Sequence, residues 1–121
     1  MREVRAVMEY LHAVAGASRS RTLKLDRMGL KVLPKDDVPA RLNTVNMEDN
    51  WLSRVPESIL AVTCLETLSL RSNMFTRLSS QISGFKMLRV FNLDHNHLSS
   101  IPREVGMLQE LEVIDIRSVQ F

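Results

Sequence analysis

The chain has 121 residues, of which 45% are hydrophobic and 25% charged, and this is the composition of an ordinary globular domain. Its 16 basic and 14 acidic side chains give a net charge of +2, which is too small to indicate a nucleic-acid partner. The single cysteine, Cys64, excludes an intrachain disulfide framework and favours a reducing, cytoplasmic location, and no apolar run approaches the roughly 18 residues that span a membrane.

The first predicted element is an amphipathic helix over about residues 2–15. Apolar residues recur at steps of three and four, and Gly16 follows where a helix commonly stops. The apolar stripe consists of Val4, Val7, Met8, Leu11, Val14 and Ala15. We expect residues 1–18 to form a capping helix whose stripe covers the first unit of the domain that follows.

Residues 19–121 contain a short phrase, two apolar residues separated by one position, that returns five times. The pairs are Leu23 and Leu25, Val45 and Met47, Leu68 and Leu70, Phe91 and Leu93, and Ile114 and Ile116. The second members stand 22, 23, 23 and 23 residues apart. A fixed period of this length predicts a stack of repeated coils.

Each phrase predicts a short strand, and the strands fall near residues 22–25, 45–48, 67–70, 90–93 and 113–116. The two apolar residues of a phrase point to the same side, into the interior of the stack. Three residues after three of the phrases stand Asn50, Asn73 and Asn96. A buried asparagine amide can both donate and accept hydrogen bonds, so we predict a ladder that satisfies backbone groups of adjacent coils.

The repeated phrase, for which LRVFNLDHNHLSSIP over residues 88–102 is an example, resembles the leucine-rich repeat family. The most similar style is the intracellular group with 23-residue repeats that end in Leu-Pro, as in Ras-binding suppressor and scribble-like proteins. The resemblance covers about residues 20–121 and departs from the family pattern at Ser20, Met28 and Val119. It implies an α/β fold, a right-handed curved solenoid with a parallel sheet on the concave side, an N-terminal capping helix and about five repeats.

The outward side chains of the predicted strands form a concave face that the fold leaves free for binding. This face carries four positive and five negative side chains, a mixture that disfavours nucleic acid. Tryptophan and arginine are favoured anchors of protein interfaces, so we predict a protein-binding surface. The candidate residues are Lys24, Arg27, Asn46, Glu48, Asp49, Trp51, Ser69, Arg71, Met74, Asn92, Asp94, His95, His97, Asp115 and Arg117.

Two of these features have a second interpretation. Trp51 is either an exposed anchor or a side chain folded over the coil edge to shield Leu52 or Met74. His95 and His97, with Asp94 nearby and Asp115 on the next coil, form a conceivable zinc set, although a solvated rim is the favoured interpretation. Cys64 is expected to be an inert thiol, and the sequence contains no phosphate loop or nucleophile elbow, so we expect neither enzyme activity nor a cofactor or metal.

The sequence therefore predicts a protein-interaction module, a scaffold or adaptor in intracellular signalling. The family resemblance implies partners such as a small GTPase or a phosphatase subunit. The alternative is a regulatory repeat segment of a larger enzyme, such as a kinase, a GTPase or a ubiquitin-ligase receptor.

The fifth coil is expected to be incomplete, since it begins at Leu111 and the sequence stops at Phe121. An uncapped coil would leave Ile114, Ile116 and Phe121 uncovered. We therefore expect either a piece of a longer repeat protein, monomeric as it stands, or a dimer paired through this edge.

Overall fold

The computed structural model describes residues 2–34 and 38–119. Helix α1 (Arg2–Ser20) leads into five strands of three residues each: β1 (Thr22–Lys24), β2 (Thr44–Asn46), β3 (Thr67–Ser69), β4 (Val90–Asn92) and β5 (Val113–Asp115). The segments that return the chain between β2 and β5 contain helix α2 (Glu57–Leu60) and two 3-10 helices, Ser80–Gly84 and Arg103–Met107. One strand and one return segment thus make up each of these coils.

All five strands form one parallel sheet in chain order. Strand pairing places the central residues in line across the sheet, namely Leu23, Val45, Leu68, Phe91 and Ile114. The predicted α/β solenoid of stacked coils is therefore confirmed. The predicted bounds differ slightly, because each strand has three residues and β2 begins at Thr44, one residue before the expected start.

The interior of the stack is aliphatic with three phenylalanines. Both apolar residues of the phrase have no exposed surface in the first four coils. In the fifth coil the equivalent residues Ile114 and Ile116 are only half-buried. Among the described residues β5 pairs with a strand on one side only, and no second coil covers its inward residues there.

The predicted asparagine ladder is confirmed by three buried residues, Asn50, Asn73 and Asn96. The side-chain amide of Asn73 donates to the carbonyl of Met47 in the preceding coil at 2.9 Å and to that of Leu70 at 3.0 Å. Its Oδ1 accepts from the backbone N–H of Leu52 at 3.0 Å. The other two asparagines repeat this pattern one coil away, so each satisfies backbone groups that burial would otherwise leave unpaired.

The prediction that Gly16 ends the first helix is wrong, because α1 continues to Ser20. This end also lies two residues beyond the expected boundary of the capping segment. Arg21 supplies the stop: its φ is 61° and its N–H donates to the carbonyl of Ala17 at 2.8 Å. A residue in the left-handed conformation after the last turn is a common helix terminator, and here it is an arginine in place of glycine.

The face by which α1 meets the first coil also differs from the prediction. Tyr10 and Ala17 are buried in the same core as Leu23 and Leu25. The predicted contact residues, in contrast, are exposed at Val4, Val7, Met8, Leu11 and Ala15, and Val14 is half-buried. The packed side of α1 thus runs through Tyr10, Val14 and Ala17 and shares only Val14 with the predicted stripe.

Within the described residues, no helix is both long enough and apolar enough to cross a membrane.

Candidate protein-binding surface

The outward side chains of β1–β5 and of the residues just after each strand form one surface, called the strand face below. Strand pairing arranges them in rows that cross the coils. The first row is Lys24, Asn46, Ser69, Asn92 and Asp115. The next row, two residues further along each coil, is Asp26, Glu48, Arg71, Asp94 and Arg117. Most of the candidates predicted from the sequence thus lie in two adjacent rows.

Three side chains of the first row support the turn that ends their strand. Asn46 Oδ1 accepts from the N–H of Glu48 at 3.0 Å, and Asn92 Oδ1 accepts from the N–H of Asp94 at 3.0 Å. Asp115 makes the same bond to Arg117 at 3.3 Å. Asn92 is half-buried and bonded, whereas the sequence suggested a purely water-facing residue. These three residues have a structural role that limits what they offer to a partner.

The carboxylates at one end of the charged row have neighbours within the chain. Glu48 Oε2 accepts a hydrogen bond from the Ser69 hydroxyl at 2.9 Å. Asp26 lies 3.6 Å from the guanidinium of Arg27, whose side chain is 78% exposed. Exposed pairs of this kind contribute little stability, so Arg27 remains available to exchange partners.

Asp94 is buried, although the sequence placed it on the open surface. Its carboxylate accepts from the N–H of Ser118 at 3.1 Å and from Arg117 Nη2 at 3.4 Å, and Oδ2 lies 2.9 Å from His95 Nδ1. Burial acts to raise the pKa of Asp94, but hydrogen bonds from Ser118 and His95, with the charge of His95, together hold this pKa below its usual value. Asp94 therefore fastens the fifth coil to the fourth.

Arg71 occupies the middle of the charged row, between Glu48 and Asp94. Its side chain is half-buried, and within the described part of the chain it makes neither a hydrogen bond nor an ion pair. Both neighbouring carboxylates are already bonded to other groups. Within the described residues, the guanidinium of Arg71 is consequently a cation with its donors unused.

An apolar ridge borders this cation at the residues that follow the ladder asparagines. Trp51 is 59% exposed and Met74 is 41% exposed, and His97 is exposed beside them. Their backbone N–H groups donate to Leu30, Leu52 and Phe75 at 2.8 Å each, so the three side chains start from equivalent points of successive coils. The exposure of Trp51 favours the anchor interpretation over that of a shield for the coil edge.

The conceivable zinc set is assembled only in part. Asp94 and His95 are in contact, but the described residues contain no group of three histidine, cysteine or acidic side chains that could hold a metal ion. The Cys64 thiol is half-buried and donates to the carbonyl of Leu42 at 3.3 Å. This environment is typical of a structural cysteine.

Two exposed apolar residues of the strand face were outward in the sequence pattern but were not chosen as binding candidates. Val90 is 37% exposed and Val113 is 54% exposed, at positions where β1–β3 carry threonine. The alternation of the strand was the signal that could have identified them.

Comparisons with known proteins agree with this architecture. A model of the leucine-rich repeat matches residues 87–108, which cover the fourth strand and its return segment. A solved leucine-rich repeat protein of Leptospira interrogans is similar, with a TM-score of 0.65 and 30% identity over 84% of this chain. The present chain spans 32% of the length of that protein. No curated protein matches the sequence at a significant level.

Leucine-rich repeat domains are in general protein-interaction modules and are typically not enzymes. Together with the parallel sheet and the asparagine ladder, the matched repeat model and the similar solved structure support a leucine-rich repeat family for this chain.

Proposed function

We propose that this chain is a non-enzymatic adaptor or scaffold of intracellular signalling that binds a partner protein on the strand face. The observation that carries the proposal is Arg71, a half-buried cation whose donors are unused within the described residues. Arginine and tryptophan are enriched among the residues that dominate protein interfaces. Arg71 and the ridge of Trp51 and Met74 lie on neighbouring coils, which supports a single contact patch.

The chemistry of this patch suits a partner that presents a carboxylate beside an apolar side chain. A carboxylate of the partner would accept two hydrogen bonds from the Arg71 guanidinium, since these two groups pair in a bidentate manner. An apolar side chain beside that carboxylate would cover Trp51 and Met74. The lone Cys64 supports a cytoplasmic setting, and small GTPases or phosphatase subunits with an exposed acidic and apolar segment are the partners to examine first.

The experiment is a quantitative affinity purification with the intact chain and four variants. Trp51→Ala and Arg71→Glu alter the patch, whereas Met107→Ala and Arg103→Glu truncate an apolar side chain and reverse an arginine charge at exposed residues of a return segment. We expect specific partners to be depleted about tenfold or more with the first two variants, as for central interface anchors. If the patch variants retain the partners, or if all four variants lose them equally, binding on the strand face is refuted.

The oligomeric state is a separate proposal. We propose a monomer, with pairing through the open edge of β5 as the alternative, because Ile114 and Ile116 are half-buried there. Light scattering over a range of concentrations distinguishes the two states. A charged substitution at the exposed Val113 would shift the mass only if the edge forms a dimer.

A further inference from the structure

Two exposed arginines outside the strand face occupy equivalent positions of neighbouring coils. Arg54 directly precedes the buried Val55, and Arg77 directly precedes the buried Leu78, 23 residues further on. Within the described residues, neither guanidinium makes a hydrogen bond or an ion pair. The repeat therefore stacks two uncompensated cations on the same side of the solenoid.

Both arginines line one groove between the second and third coils, with a volume of about 420 Å³. The same groove is lined by three hydroxyl-bearing residues, Ser53, Thr76 and Ser79. Among the residues that the structure describes, Glu57, in the first turn of α2, is the single acidic residue of the lining. Two cations, one anion and three hydroxyl groups from the described residues make this groove a concave site with a net positive charge.

We propose that this groove binds the phosphoryl group of a phosphomonoester, clamped between Arg54 and Arg77. A phosphate monoester carries a charge of about −1.5 to −2 near pH 7 and three acceptor oxygens, which suits two guanidinium forks better than a singly charged carboxylate does. Ser53 and Thr76 supply hydroxyl donors for the third oxygen. The volume of the groove leaves room for the ester group as well as for the phosphate.

Glu57 provides a check of the proposal, because its substitution should change phosphate affinity in the opposite direction from the arginine substitutions. Its carboxylate shares the groove with the two cations and repels an incoming anion. Removal of this charge strengthens phosphate binding, whereas removal of either arginine weakens it. A surface that attracts anions only by its overall charge would respond equally to a charge change at any exposed position.

The test is an NMR titration of the intact chain with phenyl phosphate. The variants are Arg54→Gln, Arg77→Gln and Glu57→Gln, and Arg103→Gln, at an exposed arginine of another return segment outside the groove, is the matched control. We expect saturable shifts at residues of the groove, at least threefold weaker binding for either arginine variant, tighter binding for the Glu57 variant and no change for the control. Thermal melting of each variant confirms that the fold is intact.

Three further ligands identify what the groove recognises. Phenyl sulfate and benzoate are singly charged, and inorganic phosphate lacks the ester group, so all three should bind more weakly than phenyl phosphate. The proposal would be overturned if the singly charged ligands or inorganic phosphate bound as tightly as phenyl phosphate. Absence of saturable shifts with phenyl phosphate would overturn it as well. Since Arg71 lies outside the groove, failure here leaves the strand-face proposal unaffected.

Discussion

Single residues of this chain divide into those that hold the coils together and those that are free to bind. The asparagines that follow the three middle phrases are buried and fully bonded, while Arg71 and Trp51 one or two residues away have unused donors or exposed surface. The repeat pattern identified both groups. It could not reveal that Asp94 belongs to the first group, because its burial depends on Arg117 and Ser118 from the next coil.

The ladder predicts unequal costs for two asparagine substitutions. Asn73→Ala removes three buried bonds to Met47, Leu70 and Leu52, and we expect it to lower the free energy of unfolding by about 3 kcal/mol. Asn92→Ala removes one turn bond and should cost about 1 kcal/mol or less. Urea unfolding of both variants measures the difference, and equal midpoints would contradict the ladder argument.

The lowered pKa of Asp94 predicts a dependence of stability on pH. In the unfolded chain Asp94 takes up its proton near its ordinary pKa of about 3.9, before the folded protein does so. The stabilisation by this carboxylate is therefore complete above that pH and is lost as the pH falls through the folded value. Melting temperatures from pH 7 down to about 2.5 should fall less steeply for Asp94→Asn than for the wild type. Parallel curves would show that Asp94 is not a stabilising anion.

Among the elements, the N-terminal helix shows most clearly what periodicity can and cannot predict. Its existence and its apolar residues followed from the spacing, but its packing face and its end did not. Tyr10 and Ala17 are buried in the core, and the helix ends in a left-handed turn at Arg21 that leads into β1. Since an arginine in this conformation has no sequence signature, neither the turn nor the face could be predicted from the pattern alone.

This packing predicts that substitutions destabilise the protein on one face of α1 only. Tyr10→Ala removes a ring that is 6% exposed, and we expect a loss of about 3 kcal/mol in the free energy of unfolding. Leu11→Ala shortens a side chain that is 44% exposed and should cost well under about 1 kcal/mol. Chemical unfolding distinguishes this result from that of a helix docked through its apolar stripe, in which Leu11→Ala would be the more damaging change.

For the whole molecule, the constant repeat length was sufficient to predict the parallel stack, its register and its ladder. The same repetition explains why the binding partner could not be read from the sequence, since outward side chains are the part that the fold does not constrain. The groove lined by Arg54 and Arg77 is a second feature that the sequence alone could not identify. Its two cations repeat at 23 residues, but only the folded coils place them around one concavity.

The stack also predicts how stability varies along the solenoid. Strands β2–β4 pair on both sides and bury their inward residues completely, whereas β5 pairs on one side only in the part of the chain that the structure describes. Backbone amides of β5 should therefore exchange with deuterium faster than those of β3, because terminal coils open without breaking the interior. Equal protection of the two strands would mean that the fifth coil is covered on its open side.

The most direct test of the central claim, that a partner protein binds on the strand face, is site-specific photo-crosslinking. A photoreactive amino acid is placed at Met74 in one chain and at Met107, on a return segment, in a second chain; both residues are exposed. We predict that a specific partner is crosslinked from position 74, that Arg71→Glu abolishes this product, and that position 107 gives none. A partner captured from position 107 and not from position 74 would contradict the claim.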